Sequence, residues 1–202
     1  MKRGMACSLV RLRSAPASSV LRVAAFLILC STSGSALVES QARPAEYDVK
    51  AAYLLNFGKF IRGAPNAAPR EYFDICVIGP DPMGRVLDSL AAGEQVDGRS
   101  VRIRRVNDAA DARSCDIAYF STSDTAEIDS ELVALRNSDA LTVSDAPNFL
   151  EHGGMIQFVL VAHRVRFSVN LNAVHRTHLV LSSELLRVAL SVTGKATGEV
   201  RP

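Results

Sequence analysis

The sequence has no tryptophan and few aromatic side chains of any kind, 8 Phe and 4 Tyr in 202 residues. Binding single-stranded nucleic acid by base stacking needs clustered aromatics in a basic groove. The aromatics here are scattered among apolar positions, which argues against nucleic acid as a partner. Also missing are a GxGxxG, a Lys-Ser/Thr pair after a glycine turn, and a GxSxG. The usual phosphate cradle and the usual serine nucleophile elbow are therefore absent. No uncharged run reaches the roughly 20 residues that a membrane-spanning helix requires.

The first 42 residues read as an export signal. Lys2, Arg3, Arg11, Arg13 and Arg22 form a basic leader and Val23 to Leu29 an apolar run, with small residues before cleavage points after Ala36 or Ala42. A retained anchor would need a longer apolar span, and a lipidated Cys30 would need a small residue where Leu29 stands. Cleavage removes five basic side chains and one acidic one, leaving a mature chain of net charge near −2 rather than +2. The basic character of the whole chain thus belongs to its leader, and no polybasic surface for lipid or nucleic acid is implied. No membrane insertion is expected after cleavage.

The leader also removes Cys7 and Cys30, leaving Cys76 and Cys115. An even pair in an oxidising compartment favours a disulfide over a metal site, with two buried thiols as the alternative. Closing a loop of about 40 residues would stabilise the fold by roughly 4 kcal/mol in the chain-entropy model. Residues 43–194 are long and apolar enough for one domain, and the polar residues 195–202 read as a frayed tail.

Along that domain, Val49, Tyr53, Phe57 and Ile61 recur every four residues, which predicts an amphipathic helix over 49–61. Leu54 and Leu55 widen its apolar face, as either deep packing on a sheet or contact with a second surface would require. Residues 72–79 form a nearly continuous apolar run, expected of a strand covered on both faces. Asp81-Pro82 suits the start of a helix over 82–91. The alternation of Val101, Ile103 and Val106 with Arg102 and Arg104 marks a strand with one wet face, near an edge. A helical turn at 108–113, a strand at 116–121, a helix at 124–136 and a strand at 141–144 follow. This alternation implies right-handed crossovers and a doubly wound, mostly parallel sheet, with the first strand beside the third.

Next, Asp145 can cap a one-turn helix containing Pro147 and ended by Gly153-Gly154. Residues 155–161 and 165–171 form a hairpin turning at 162–164, so an antiparallel hairpin closes the sheet. Asn170 and Ser182 can cap helices over 171–176 and 183–192. The expected fold is α/β: a single doubly wound, mostly parallel sheet flanked by helices and closed by a C-terminal antiparallel hairpin.

All four histidines fall between residues 152 and 178. His175 and His178 are spaced to share a helix face and hold a metal, but a third ligand is missing locally, and His152 or His163 would have to arrive through the fold. No metal, cofactor or catalytic residue is assigned. Parallel sheets gather ligands at strand carboxyl ends. A small-ligand binding module would therefore use Gly79, Asp81, Ser121 and Ser144, although Asp145 next to Ser144 is better explained as a helix cap.

Six stretches together resemble the YfiR family: Val49-Lys-Ala-Ala-Tyr-Leu-Leu-Asn-Phe-Gly-Lys-Phe60, Ile75-Cys-Val-Ile-Gly79, Cys115-Asp116, Leu141-Thr-Val-Ser-Asp145, Gly153-Gly-Met-Ile156 and Ser182-Ser183. They span nearly the whole mature chain in order. The resemblance implies a non-enzymatic periplasmic repressor that binds the periplasmic domain of an inner-membrane diguanylate cyclase, so that release raises cyclic-di-GMP and favours biofilm. It places the family cysteine pair on Cys76 and Cys115. No cysteine follows Cys115, so redox sensing through the second pair of some members does not carry over. The resemblance also implies a homodimer and partner contacts in the apolar C-terminal half, for which Phe149, Ile156, Phe158 and Val174 are the candidates.

Overall fold

The structure, a computed structural model, describes residues 39–63 and 70–194. Most of the expected leader and all of the expected tail lie outside the described residues. The chain runs through α1 (Glu39–Lys59), β1 (Ile61–Arg62), β2 (Tyr72–Ile78), α2 (Gly84–Ala91), β3 (Gln95–Val96) and β4 (Arg99–Val106). A 3-10 turn at Ala109–Ala112 leads to β5 (Ile117–Phe120), α3 (Thr125–Ala134) and β6 (Leu141–Ser144). The remainder is β7 (Ile156–Val161), β8 (Arg164–Asn170), α4 (Leu171–Val174), β9 (Val180–Leu181), α5 (Ser183–Val188) and β10 (Ser191–Thr193).

The main sheet has the order β10-β8-β7-β6-β5-β2-β4-β3, and β1 pairs with β9 in a separate antiparallel ribbon. Neighbours are parallel except at β7–β8 and β3–β4. The doubly wound, mostly parallel sheet is present, with β2 beside β5 as expected and β4 on its other side. Period-two alternation divides its central strands between two cores. Ile75, Val77, Ile117, Tyr119, Leu141 and Val143 meet α1 and Leu87 of α2. Cys76, Ile78, Ala118 and Phe120 meet the 3-10 turn, Ile128 of α3 and Phe149. Burial on both faces is why these strands read as continuous apolar runs.

α1 is the main cover of the first face. A Cβ on Gly58 would stand 2.9 Å from the Phe73 ring, so the helix can lie this low on β2 only because that position is glycine. Just before it, Tyr53 and Phe57 pack on Phe158 and Phe167 with ring centres 5.1 to 5.9 Å apart, Phe57 stacked on Phe158 and the other pairs tilted or edge-on. The helix ends at Lys59, two residues short of the expected boundary, because Ile61 pairs with Leu181 in the small ribbon.

Other departures have equally local causes. The helix expected over 183–192 stops at Val188. Leu190 N–H donates to Phe167 O at 2.7 Å, and Ser191–Thr193 then adds to β8 in parallel. A strand too short to show a period, formed to satisfy the open side of β8, leaves no sequence signal. Residues 146–153 make a series of turns rather than one helical turn. Gly154 follows because a Cβ there would fall 2.1 Å from the Phe149 ring. The α2 helix begins at Gly84, with Asp81 Oδ1 accepting from the N–H groups of Met83 and Gly84, both at 2.9 Å.

Cys76 and Cys115 are joined by a disulfide, with Cα atoms 6.1 Å apart, in the α3-side core. The bond staples β2 to the entry of β5. Replacing both cysteines with serine should lower unfolding stability by up to roughly 4 kcal/mol, the chain-entropy value for a loop of this size. Urea melts followed by circular dichroism check this, and reductant should move the wild-type midpoint but not that of the double variant.

Candidate functional site

The strand carboxyl ends do not form an open site. Ser121 Oγ donates to Ile78 O and Ser144 Oγ to Phe120 O, both at 2.8 Å, so each hydroxyl ties its strand to the next. Gly79 lies against Ser121: its φ is +81° and a Cβ would stand 2.9 Å from Ser121 Oγ. Asp81, besides accepting from the Met83 and Gly84 N–H groups where α2 begins, accepts from Arg105 Nε at 2.8 Å. Gly79, Asp81, Ser121 and Ser144 thus lie along neighbouring strand ends with their polar groups engaged by the fold.

Asp145, read from sequence as a helix cap, has a different role. No helix follows it to be capped, and it is Ser144 Oγ that accepts from Ala146 N–H, at 3.0 Å, where the turns begin. Asp145 Oδ2 accepts from Lys50 Nζ at 2.5 Å and Oδ1 from the Tyr119 hydroxyl at 2.9 Å. Lys50 is only 4% exposed, yet it also meets Glu46 at 2.5 Å and lies 4.4 Å from the centre of the Tyr47 ring. Burial pulls the Lys50 pKa down, but hydrogen bonds to Asp145 and Glu46 outweigh it and hold the ammonium above its ordinary value. Burial first, and the Asp145 charge second, push the Tyr119 phenol far upward, so it remains a donor. The spacing of Lys50 on an apolar helix gave no sign of a partner 95 residues away.

Two cavities lie elsewhere. One, of about 650 Å³, opens at the amino ends of the parallel strands and is lined by Arg70, Arg99, Arg113, Asp116 and Leu179 among others. Its charged groups face one another: Asp116 accepts from Arg70 and meets Arg99 at 3.0 Å, and Arg113 donates to Ala134 O at 2.7 Å. A second, of about 300 Å³, lies between α3 and the C-terminal segment. At its rim His152 Nδ1 is 2.6 Å from Asp129 Oδ1; His178 Nδ1 is 3.1 Å from Oδ1 of Asp139, which lines the first cavity. The histidines are held apart by separate carboxylates, and among the described residues no three metal-ligating side chains converge.

Phe149, Ile156, Phe158 and Val174 are all buried, at 2% exposure or less. The partner surface expected at these positions is corrected: they are core. Phe149 packs on Phe120, and Phe158 lies in the ring cluster under α1. A half-buried strand alternates in the same way whether a helix of the same chain or another protein covers it, and here α1 does so. The apolar side chains left exposed in this half are others: Leu160, Val161, Val180, Val188, Leu190 and Val192. They stand in a basic setting, because no Asp or Glu occurs between Glu151 and Glu184 while Arg164, Arg166 and Arg176 do. Net charge conceals this local asymmetry.

Geometry therefore defines a disulfide-stapled, doubly wound α/β domain whose strand ends are filled by its own ion pairs and whose C-terminal edge is apolar and exposed. A family model described as YfiR/HmsC-like matches residues 47–190, nearly the whole described domain. The chain belongs to this family. Among solved structures, it is similar to a conserved domain protein from Vibrio cholerae O1 biovar El Tor, at 14% identity and a TM-score of 0.47. The alignment covers 73% of this chain and 60% of that one. No curated protein matches. Among the described residues no helix is long and apolar enough to cross a membrane.

Two predictions follow from the buried charges. Changing Lys50→Met leaves the Asp145 carboxylate without its cation and should cost about 3–5 kcal/mol, with partial recovery when Asp145→Asn is added; denaturant melts of both variants read this. On α3, Glu131 Oε2 is buried without a hydrogen-bond partner, and burial, then Glu127 and Asp108, raise its pKa from 4.5 to about 7. A carboxyl group raised in the fold stabilises it fully below its unfolded pKa and loses that contribution as pH rises through the folded one. Glu131→Gln should therefore melt above wild type at pH 8, with the gap closing toward pH 4.

Proposed function

We propose that this chain is a periplasmic regulatory protein, without catalytic activity, that binds the periplasmic domain of an inner-membrane diguanylate cyclase and represses it. Repression lowers cyclic-di-GMP and with it biofilm formation. In this reading the leader at residues 1–42 exports the chain and is cleaved, and the mature domain works as a homodimer. The observation that carries the reading is the family match across residues 47–190. The site chemistry agrees with a binding role. Ser121, Ser144, Asp81 and Asp145 direct their polar atoms into the fold, while apolar side chains at the C-terminal edge face outward.

Deleting the gene should raise cellular cyclic-di-GMP, measured by mass spectrometry, only in a strain that also carries the cognate cyclase, and restoring the secreted chain should reverse the rise. Unchanged nucleotide levels with the cyclase expressed would overturn the proposal.

A further inference from the structure

The two cavities away from the strand carboxyl ends differ in charge. In the larger, Arg70, Arg99 and Arg113 face Asp97, Asp116 and Asp139, so the charges balance, and Asp116 already takes two of the guanidiniums. The smaller, of about 300 Å³, lies where β6 and β7 begin, between the end of α3 and the residues that follow α4. Its lining sets Arg136 and Arg176 against one carboxylate, Asp129, which His152 already meets at 2.6 Å. Among the described residues the Arg136 guanidinium has no hydrogen bond or ion pair. Arg176 donates only to main-chain carbonyls, Asn172 O and Gly153 O, both at 3.3 Å, so no carboxylate matches its charge. Beside these charges the lining is apolar: Leu135, Met155 and Ala173 are all buried. Thr142 lines it too and is 4% exposed. Its Oγ1 accepts from Met155 N–H at 3.0 Å, while its own proton has no acceptor among the described residues. A buried hydroxyl proton left without an acceptor is a cost that a bound oxygen would remove.

We infer that this smaller cavity binds a monocarboxylate with a short apolar body. Two guanidiniums against the single carboxylate of Asp129 leave one positive charge for an anion to balance. A doubly charged phosphate would exceed that charge and meet Asp129 as well. A guanidinium fork matches both oxygens of a carboxylate, and Thr142 adds a further donor. Sites for small molecules run from roughly 300 to 1,000 Å³, so this one stands at the lower end. At ~30 Å³ for each water-sized group, it holds about ten non-hydrogen atoms. That is room for the carboxylate and one ring or short chain resting on Leu135, Met155 and Ala173. Bound there, the ligand would tie the end of α3 to the residues after α4, which no ion pair between Arg136 or Arg176 and a carboxylate now does. The inference is independent of the regulatory reading above, and either can fail without the other.

The test titrates phenylpropionate, a monocarboxylate of suitable size, into the mature chain and follows the methyl resonances of Leu135, Met155 and Ala173. These should shift in a saturable, salt-sensitive way, and the melting temperature should rise with ligand concentration. Phenylpropylamine and phenylpropanol lack the anion and acetate lacks the body; each should bind weaker by roughly tenfold or more. Arg136→Gln should cost a similar factor, and Arg136→Lys should restore part of it. Because the Arg136 side chain bonds to no other described residue, its variants should keep the wild-type circular dichroism. Arg113→Gln, in the larger cavity, should leave binding unchanged. Absence of any methyl shift at millimolar concentrations overturns the inference, as does equal binding of the amine, the alcohol or acetate. Tighter binding of inorganic phosphate than of phenylpropionate also overturns it, and so does binding that responds to Arg113→Gln but not to Arg136→Gln.

Discussion

The ion pair between Lys50 and Asp145 fixes how α1 lies on the sheet, and much of the domain depends on that placement. An ammonium buried this deeply is tolerable only with its charge matched and its hydrogen bonds made. Glu46 from the same helix, Asp145 from the end of β6 and the face of Tyr47 together meet that demand. Just past the helix's carboxyl end, Ser182 N–H bonds to Phe60 O at 2.9 Å. Held at its middle and at its carboxyl end, α1 brings Tyr53 and Phe57 onto Phe158 and Phe167, and so joins the parallel half of the sheet to its antiparallel closure.

That arrangement has a consequence for function. In an open α/β sheet the strand carboxyl ends are the usual place for ligand chemistry. Here Asp145 accepts from both Lys50 and Tyr119, and Ser121 and Ser144 bond to neighbouring carbonyls. What remains outward-facing lies at the far edge, where a hairpin and a three-residue strand present apolar side chains among arginines. The polar groups at these strand ends are thus taken up by the fold, while apolar side chains stay exposed in the C-terminal half.

Much of the fold was legible in the residues. The strands at 72–78, 117–120 and 141–144 announced themselves as apolar runs because they are covered twice, and the wet face of 99–106 showed in its arginines. The candidate partner residues were misread for a related reason. Phe149, Ile156, Phe158 and Val174 carry the pattern of a covered surface, and the pattern does not say what does the covering. Asp145 was misread because capping is a local role visible in sequence, whereas its actual partner sits far away on α1.

By itself, then, the sequence determined the class of the domain, the place of its first parallel strand beside the third, and the pair of cysteines available to staple it. These follow from period, composition and spacing, all of which are local properties of the chain. Only the tertiary structure decided where buried charge is neutralised, which apolar side chains α1 takes into the core, and which stay outside beside β10. Those outcomes depend on contacts between segments far apart in the chain, and the free energy of such contacts is set by packing and desolvation that no local pattern records.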